Sequence, residues 1–350
     1  MREGFLLDPE VAYFNHGGYG ACPIEVFEEY QRRQLELERE PTVFFTRVFE
    51  DATYDARAAL AAFVGARTED LVFAANATSA LNAVIRSLRI RPNEEILTTK
   101  HEYGAVLRTL GFIRANVVLV EPDELIANIG IRTRAIVVSH ITSPTALVLP
   151  VEEVCEAARK AGVLTIVDGA HAPGHLALDV EAVGADVYAG NCHKWLCAPK
   201  GCGFLWARPE HQDWIEPLVI SWGYHDAADF RERHGWQGTR DPAACLAVPK
   251  AIEVHATFDP ARARALADEA ERALATYGLR PLRGARGPFM RALTIRTSDP
   301  DALGRRLYDE HRVEVPVYDW EGTALLRLSV GPYNDDADLE RLVDAVRAVL

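Results

Sequence analysis

The sequence predicts an α/β protein: a large domain on a mainly parallel sheet, then a smaller α+β C-terminal domain. Three observations lead there. Short apolar runs alternate with helical segments through the first two-thirds of the chain. Those runs are continuously apolar, as strands buried on both faces are. From about Asp241 the pattern changes to long helical stretches with few strands between them.

Taken in order, Leu71–Ala75, Glu95–Thr98, Val117–Val120, Ala135–Ser139 and Leu164–Asp168 read as buried strands, and Gly203–Trp206 as another. Thr78–Leu88 and Val151–Ala161 read as helices between them. Beyond Asp241, helices are expected at 242–257 and 260–277, a strand at Ala292–Ile295 and a helix near 300–310. Strands at Arg312–Val317 and Ala324–Val330 and a closing helix at 335–350 complete the chain. No low-complexity linker separates the halves. Residues 12–255 are expected to form the large domain, and 256–350 with 1–11 the small one.

Composition narrows the function. The chain has 350 residues, 49% hydrophobic and 25% charged, as a soluble globular protein does. A formal charge of −13 gives no general attraction to nucleic acid or anionic membrane. No apolar run is long enough to span a bilayer and the start lacks a signal-peptide core, so a cytoplasmic location is expected. Six cysteines do not suggest a disulfide framework in a chain this long. Cys192, Cys197 and Cys202 lie near His193, but no C-x-x-C pair is present and no metal is expected.

The most informative pair is Asp168, at a strand end, and Lys194, 26 residues later, after the next strand-like segment. Together they suit pyridoxal 5′-phosphate (PLP). The Lys amine forms a Schiff base with the aldehyde, and the Asp carboxylate keeps the pyridine nitrogen protonated, so that the ring accepts electrons from the substrate Cα. Singly, each residue is as well explained as surface of an α/β domain. The rest of a site follows in chain order. Asn76-Ala77-Thr78 opens a helix and offers an anion site for the phosphate, or a plain N-cap. Tyr103, or alternatively His101, can stack on the pyridine. His171 can bond the phenolic oxygen, and Asn191 and His193 can reach the phosphate. Gly238 and Thr239 offer a close backbone approach and a hydroxyl to phosphate. Arg327 is a lone cation on an apolar strand; a substrate α-carboxylate, or a structural acid, would satisfy it.

On these residues the chain resembles the class V aminotransferase family (PLP-dependent, fold type I), and within it the isopenicillin N epimerase-like group. The segments that carry the resemblance are Phe14-Asn15-His16-Gly17-Gly18-Tyr19-Gly20, Asn76-Ala77-Thr78, His101-Glu102-Tyr103-Gly104-Ala105, Asp168-Gly169-Ala170-His171-Ala172, His193-Lys194-Trp195, Ser221-Trp222-Gly223, Trp236-Gln237-Gly238-Thr239-Arg240-Asp241 and Leu326-Arg327-Leu328-Ser329. The resemblance implies a homodimer with shared active sites, in which Gly238 and Thr239 reach the partner's cofactor phosphate. It implies that Asn15 and His16 line the substrate entrance and that Ser143 lies beside the ring or substrate.

The expected function is therefore that of a PLP-dependent enzyme acting at the Cα of an amino acid, with Lys194, Asp168, His171 and Tyr103 as catalytic residues. The alternative is a C–S lyase or cysteine-desulfurase-like enzyme. Desulfurases carry a cysteine shortly before the carboxylate-binding Arg, and Pro316–Leu326 contains none. A non-catalytic PLP-fold protein predicts a broken Lys/Asp pair, whereas both residues are present. A nicotinamide dehydrogenase shares the sheet pattern, but Gly17-Gly18-Tyr19-Gly20 is not a G-x-G-x-x-G between strand and helix.

Overall fold

The computed structural model describes residues 2–350. Its strands are β1 (Ala12–Tyr13), β2 (Leu71–Ala74), β3 (Glu95–Thr99), β4 (Val117–Val120), β5 (Thr133–Ser139), β6 (Leu164–Gly169) and β7 (Val187–Asn191). They continue with β8 (Gly203–Ala207), β9 (Arg280–Pro281), β10 (Met290–Thr294), β11 (Val313–Glu314), β12 (Val317–Trp320) and β13 (Thr323–Ser329). Seven strands form one sheet, ordered β2-β8-β7-β6-β5-β3-β4. Only β8 runs against its neighbours. Helices cover both faces, so the central strands are apolar throughout: Val137, Val138, Ile166, Val167 and Val187 are all fully buried. Each such side chain contributes about 1.5–3 kcal/mol.

Parallel strands end on one side of a sheet, and loops there converge. The ends of β2, β3, β5, β6 and β7 deliver Asn76, the loop 100–103, Ser139, Asp168 and Asn191 to one edge. The helix Ala77–Ser87 starts at this edge. Its buried residues Ala77, Ala80, Leu81, Val84 and Ile85 recur at helical spacing, and the Asn76 side chain caps it by accepting from the Ser79 N–H. The helix start lies hard against the sheet: a Cβ on Gly203 would meet the Asn76 Cα at 2.8 Å.

The smaller sheet, β12-β13-β10-β9, is antiparallel. The helices Pro260–Ala275, Pro300–His311 and Asp336–Val349 pack Leu266, Leu274, Leu307, Leu342 and Val346 onto Leu293, Leu326 and Leu328. β1 pairs with β11, and Ala12 and Phe14 share this C-terminal core. The chain therefore crosses between the two units beyond Phe14 and returns near residue 258.

Proline accounts for two differences from the sequence reading. Residues 242–257 form two helices, Ala243–Leu246 and Val248–His255, because Pro249 has no N–H for a continuous helix. Residues 312–317 contain β11 and the start of β12, with Pro316 between them. Two helices, Ile24–Arg39 and Phe49–Val64, were absent from that reading. The first buries only Val26 and Leu37, and its exposed face is rich in charge pairs such as Arg32–Glu29, so its apolar period is faint.

Candidate active site

A cavity of about 420 Å³ opens where the parallel strands end. Lys194, Asp168, His171, Asn191, His193, Asn76, Ala77, Thr78, Tyr103 and Ser143 all line it. Residues from six chain segments meet there because the sheet topology ends their strands together.

Lys194 is half-buried in the cavity wall. Burial, with the charge of Arg327, lowers its amine to about 7; the Asp168 carboxylate opposes them. An amine with a substantial neutral fraction at neutral pH is nucleophilic and basic. Its Nζ lies 3.1 Å from His171 Nε2. The Trp195 indole N–H donates to His171 Nδ1 at 3.3 Å. An indole only donates, so Nδ1 is the acceptor and the His171 proton sits on Nε2, facing Lys194. Burial and the nearby cations hold His171 neutral, well below its usual range. His175 steadies the loop: its Nδ1 lies 3.1 Å from the His171 carbonyl, its Nε2 accepts from the Phe289 N–H, and its ring stacks on Trp195 at 4.0 Å.

Asp168 is buried, with Oδ1 accepting from the Ala170 N–H at 2.9 Å. Burial raises its carboxyl above the usual range, while that N–H and Lys194 pull it down. Asn191 Oδ1 accepts from the Ala77 N–H, tying the end of β7 to the start of the helix Ala77–Ser87. His193 Nδ1 donates to the Cys202 carbonyl at 3.0 Å, which leaves Nε2 for the cavity. Burial lowers His193 to about 4, so it is neutral.

Arg327 Nη1 donates to the Ser143 carbonyl at 2.6 Å and lies 3.2 Å from Ser143 Oγ. Arg327 is buried and its Nε has no partner. No carboxylate pairs with it among the described residues. The Tyr318 ring lies 6.0 Å from the guanidinium, and the Tyr318 hydroxyl is pinned to the Pro144 carbonyl.

Some expected residues lie elsewhere. His101 does not line this cavity: its Nδ1 lies 2.7 Å from Thr145 Oγ1, and its ring lies 4.6 Å from Trp320, beside a neighbouring groove. The loop turns between His101 and Tyr103, so only Tyr103 reaches the cavity. His16 is fully buried behind Trp195, with Nδ1 near the Tyr333 hydroxyl and Nε2 near Cys197 Sγ. Both of its ring nitrogens are engaged away from the cavity. Asn15 donates to Glu314 Oε1 and supports Gly18, which lines the cavity. Gly238 and Thr239 lie outside it.

The sequence reading assigned no role to Trp195 or Glu102. Trp195 follows the key lysine directly, but its bond to His171 exists only in the fold. Glu102 is buried next to Asp168 and accepts from the Ser139 hydroxyl and the Tyr103 N–H, each at 2.7 Å. The only available signal was a carboxylate three residues past a strand end.

The donor set fits PLP. A lowered lysine amine, a buried carboxylate, an open aromatic and a capped helix N-terminus flanked by Thr78 and His193 share one cavity. Among the described residues, no group of three His, Cys, Asp or Glu side chains is placed to hold a metal ion. No helix among them is long and apolar enough to cross a membrane.

Comparison with known proteins follows this geometry. The model of the aminotransferase class-V family matches residues 25–342. Isopenicillin N epimerase of Amycolatopsis lactamdurans is 37% identical over 99% of this chain and 97% of the relative. The protein of the same name from Streptomyces clavuligerus is 35% identical over the same shares. Among solved structures, the Escherichia coli cysteine desulfurase CsdA superposes with a TM-score of 0.84 at 24% identity, covering 99% of this chain and 97% of that one. That last likeness shows the fold alone.

Proposed function

The chain belongs to the class-V aminotransferase family of PLP-dependent enzymes, and we propose that it moves the proton at the Cα of an amino acid or amino-acid derivative in the manner of an isopenicillin N epimerase. One observation carries the reading: the Lys194 amine, lowered to about 7, lines a cavity whose wall residue Ser143 is bonded from behind by the carboxylate-free Arg327 guanidinium, the one group for a proton and the other for a carboxylate.

PLP, when bound, supplies an electron sink for charge that develops at Cα. Lys194 holds the cofactor through its amine and, once released, takes the Cα proton on Nζ. Asp168 keeps the ring nitrogen protonated, and its burial strengthens that pairing. His171 Nε2–H orients the lysine amine and lies ready for the cofactor's phenolic oxygen. Thr78, through its hydroxyl and its N–H, would hold the phosphate together with Asn191 and His193 at the start of Ala77–Ser87. Tyr103, whose side chain lines the cavity, would pack on the ring and, for epimerisation, would return a proton from its hydroxyl. Arg327, with Ser143 beside it, clamps the substrate carboxylate.

Two observations support this branch over persulfide chemistry and for a dimer. No cysteine lines the cavity among the described residues. Tyr19 and Tyr103 are exposed at the cavity, and Val219, Ile220 and Trp222 are exposed elsewhere on the surface, the last at 90%. A second copy would cover these side chains, with Gly238 and Thr239 of the partner subunit closing on the phosphate.

The test has two stages. Purified protein with PLP should show a visible absorption band that Lys194→Ala lacks. Single-enantiomer amino acids are then incubated in heavy water. Loss of optical rotation with deuterium at Cα supports epimerisation. Release of a keto acid by substrate and cofactor, or of a Cβ substituent, would instead assign transamination or elimination.

A further inference from the structure

Glu102 has no assigned task, yet it lies deeper than most catalytic groups. It is 3% exposed. β3 ends at Thr99, and the loop that follows folds the Glu102 side chain back over the end of β5. There Oε1 accepts from the Ser139 hydroxyl and the Tyr103 N–H. Oε2 is buried with no partner. Ser139 is in turn the register partner of Asp168 on β6. Two buried carboxyls therefore flank one serine.

Their surroundings differ. Asp168 has the Lys194 charge and the Ala170 N–H to favour its ionised form. Glu102 has only neutral donors. The groups acting on it are Asp168, Ser139 and Tyr103, and no Lys, Arg or His is among them. Its neighbour His101 turns its ring away to Thr145 and Glu121. A buried carboxylate with an unpartnered oxygen and a second carboxylate nearby is costly, and the proton stays on instead. Burial and Asp168 raise Glu102 to about 7.

We propose that Glu102 is a positioning residue: a neutral, proton-bearing carboxyl that clamps Ser139 and the Tyr103 peptide, so that the charge of the buried Glu102–Asp168 pair rests on Asp168 alone. The pair thereby presents one negative charge, not two, to the cofactor's ring nitrogen. The clamp also fixes the backbone of the residue that packs on the ring. This inference rests on Asp168 as the ring-nitrogen partner.

The sign of the pH effect follows. The folded chain keeps a proton that the unfolded chain releases near the ordinary glutamate value of 4.5. Glu102 therefore makes stability fall as pH rises from there to about 7, and adds no further slope above.

The experiment compares wild type with E102Q, E102A and D168N. Three readouts are used: PLP affinity by equilibrium dialysis, the pH dependence of thermal unfolding of the protein without PLP, and difference infrared spectra of the holoenzyme. E102Q keeps the shape and the neutral charge. It should hold PLP within about threefold of wild type and lose the stability decline towards neutral pH. E102A, which drops both clamped donors, should weaken PLP about tenfold or more. Wild type below neutral pH should show a protonated-carboxyl stretch that E102Q lacks. E102Q weakening PLP as much as D168N overturns the proposal, because Glu102 would then carry the charge. If E102Q fails to fold, the infrared titration of wild type decides: a protonated carboxyl that ionises near neutrality supports the proposal, and none at mildly acidic pH overturns it. D168N with intact PLP binding would instead refute the reading of Asp168, while the infrared result on Glu102 stood.

Discussion

Two arginines lie buried on neighbouring strands of the small sheet, and they are provided for in opposite ways. Arg291 on β10 is 4% exposed and Arg327 on β13 is 7% exposed. Arg327 lies opposite Ala292, so the two side chains leave on opposite faces. Arg291 pairs with Asp268 and Glu271 and donates to the carbonyls of Gly287 and Met290. Arg327 bonds only Ser143, has the Tyr318 ring beside it, and has no carboxylate among the described residues. A structural arginine carries its anions with it. An arginine without an anion leaves that place open for a ligand carboxylate, as proposed for Arg327, whose charge also depresses the nearby Lys194.

The most drastic break removes the lysine whose amine Arg327 depresses. Lys194→Ala should lower turnover by roughly 10⁴-fold and abolish the visible band of the PLP complex. Absorbance and steady-state rates check this. A retained band would place the attachment elsewhere.

The arginines themselves should dissociate. Arg327→Gln should raise KM by about 10- to 100-fold, the worth of a charge-assisted bond, with little change in Tm. Arg291→Gln removes the buried cation from Asp268 and from Glu271, the latter still paired with Arg286, and should cost about 1.5–3 kcal/mol of stability by denaturant unfolding, with KM unchanged. Equal effects on both quantities in both variants would dissolve the contrast.

The pH dependence sharpens it. A protonated amine cannot attack an aldehyde. Capture of PLP by the cofactor-free protein should therefore speed up as pH rises through about 7, well below the ordinary lysine value of 10.5. Arg327→Gln removes a positive neighbour and should move that midpoint upward. Stopped-flow absorbance across pH gives both curves. A midpoint unmoved by Arg327→Gln would show that burial alone lowers the amine.

The smallest effect concerns the tautomer. Trp195→Phe keeps the ring stacked on His175 but loses the N–H to His171 Nδ1. Such a bond is worth about 1 kcal/mol, so turnover should fall about fivefold with the fold intact. Rates and circular dichroism together check this.

How far this site was legible depended on contrast within the chain. Asp168, Lys194 and Arg327 stood out because each is a charge at or near the end of an apolar segment, where burial demands a reason. Asn76 was legible because a cap is a local event. His16 and His101 were misplaced because a segment can approach a site while its side chains turn away. His16 is drawn behind Trp195 to Tyr333, and His101 to Thr145. Glu102 gave no sign, since its partners Ser139 and Tyr103 matter only once the loop curls over β5.

The sequence by itself determined the α/β class, the parallel strands, the PLP chemistry and the three charged residues at its centre. The class and the strands follow from periodicity, the charged residues stand out by the cost of burying charge, and the PLP reading rests on the motifs that carry the family resemblance. Only the tertiary structure decided which ring nitrogen of His171 faces Lys194, which arginine lacks an anion, and that Glu102 and Asp168 share one buried edge. Those are matters of distance between residues far apart in the chain, and strand order, not spacing, sets such distances.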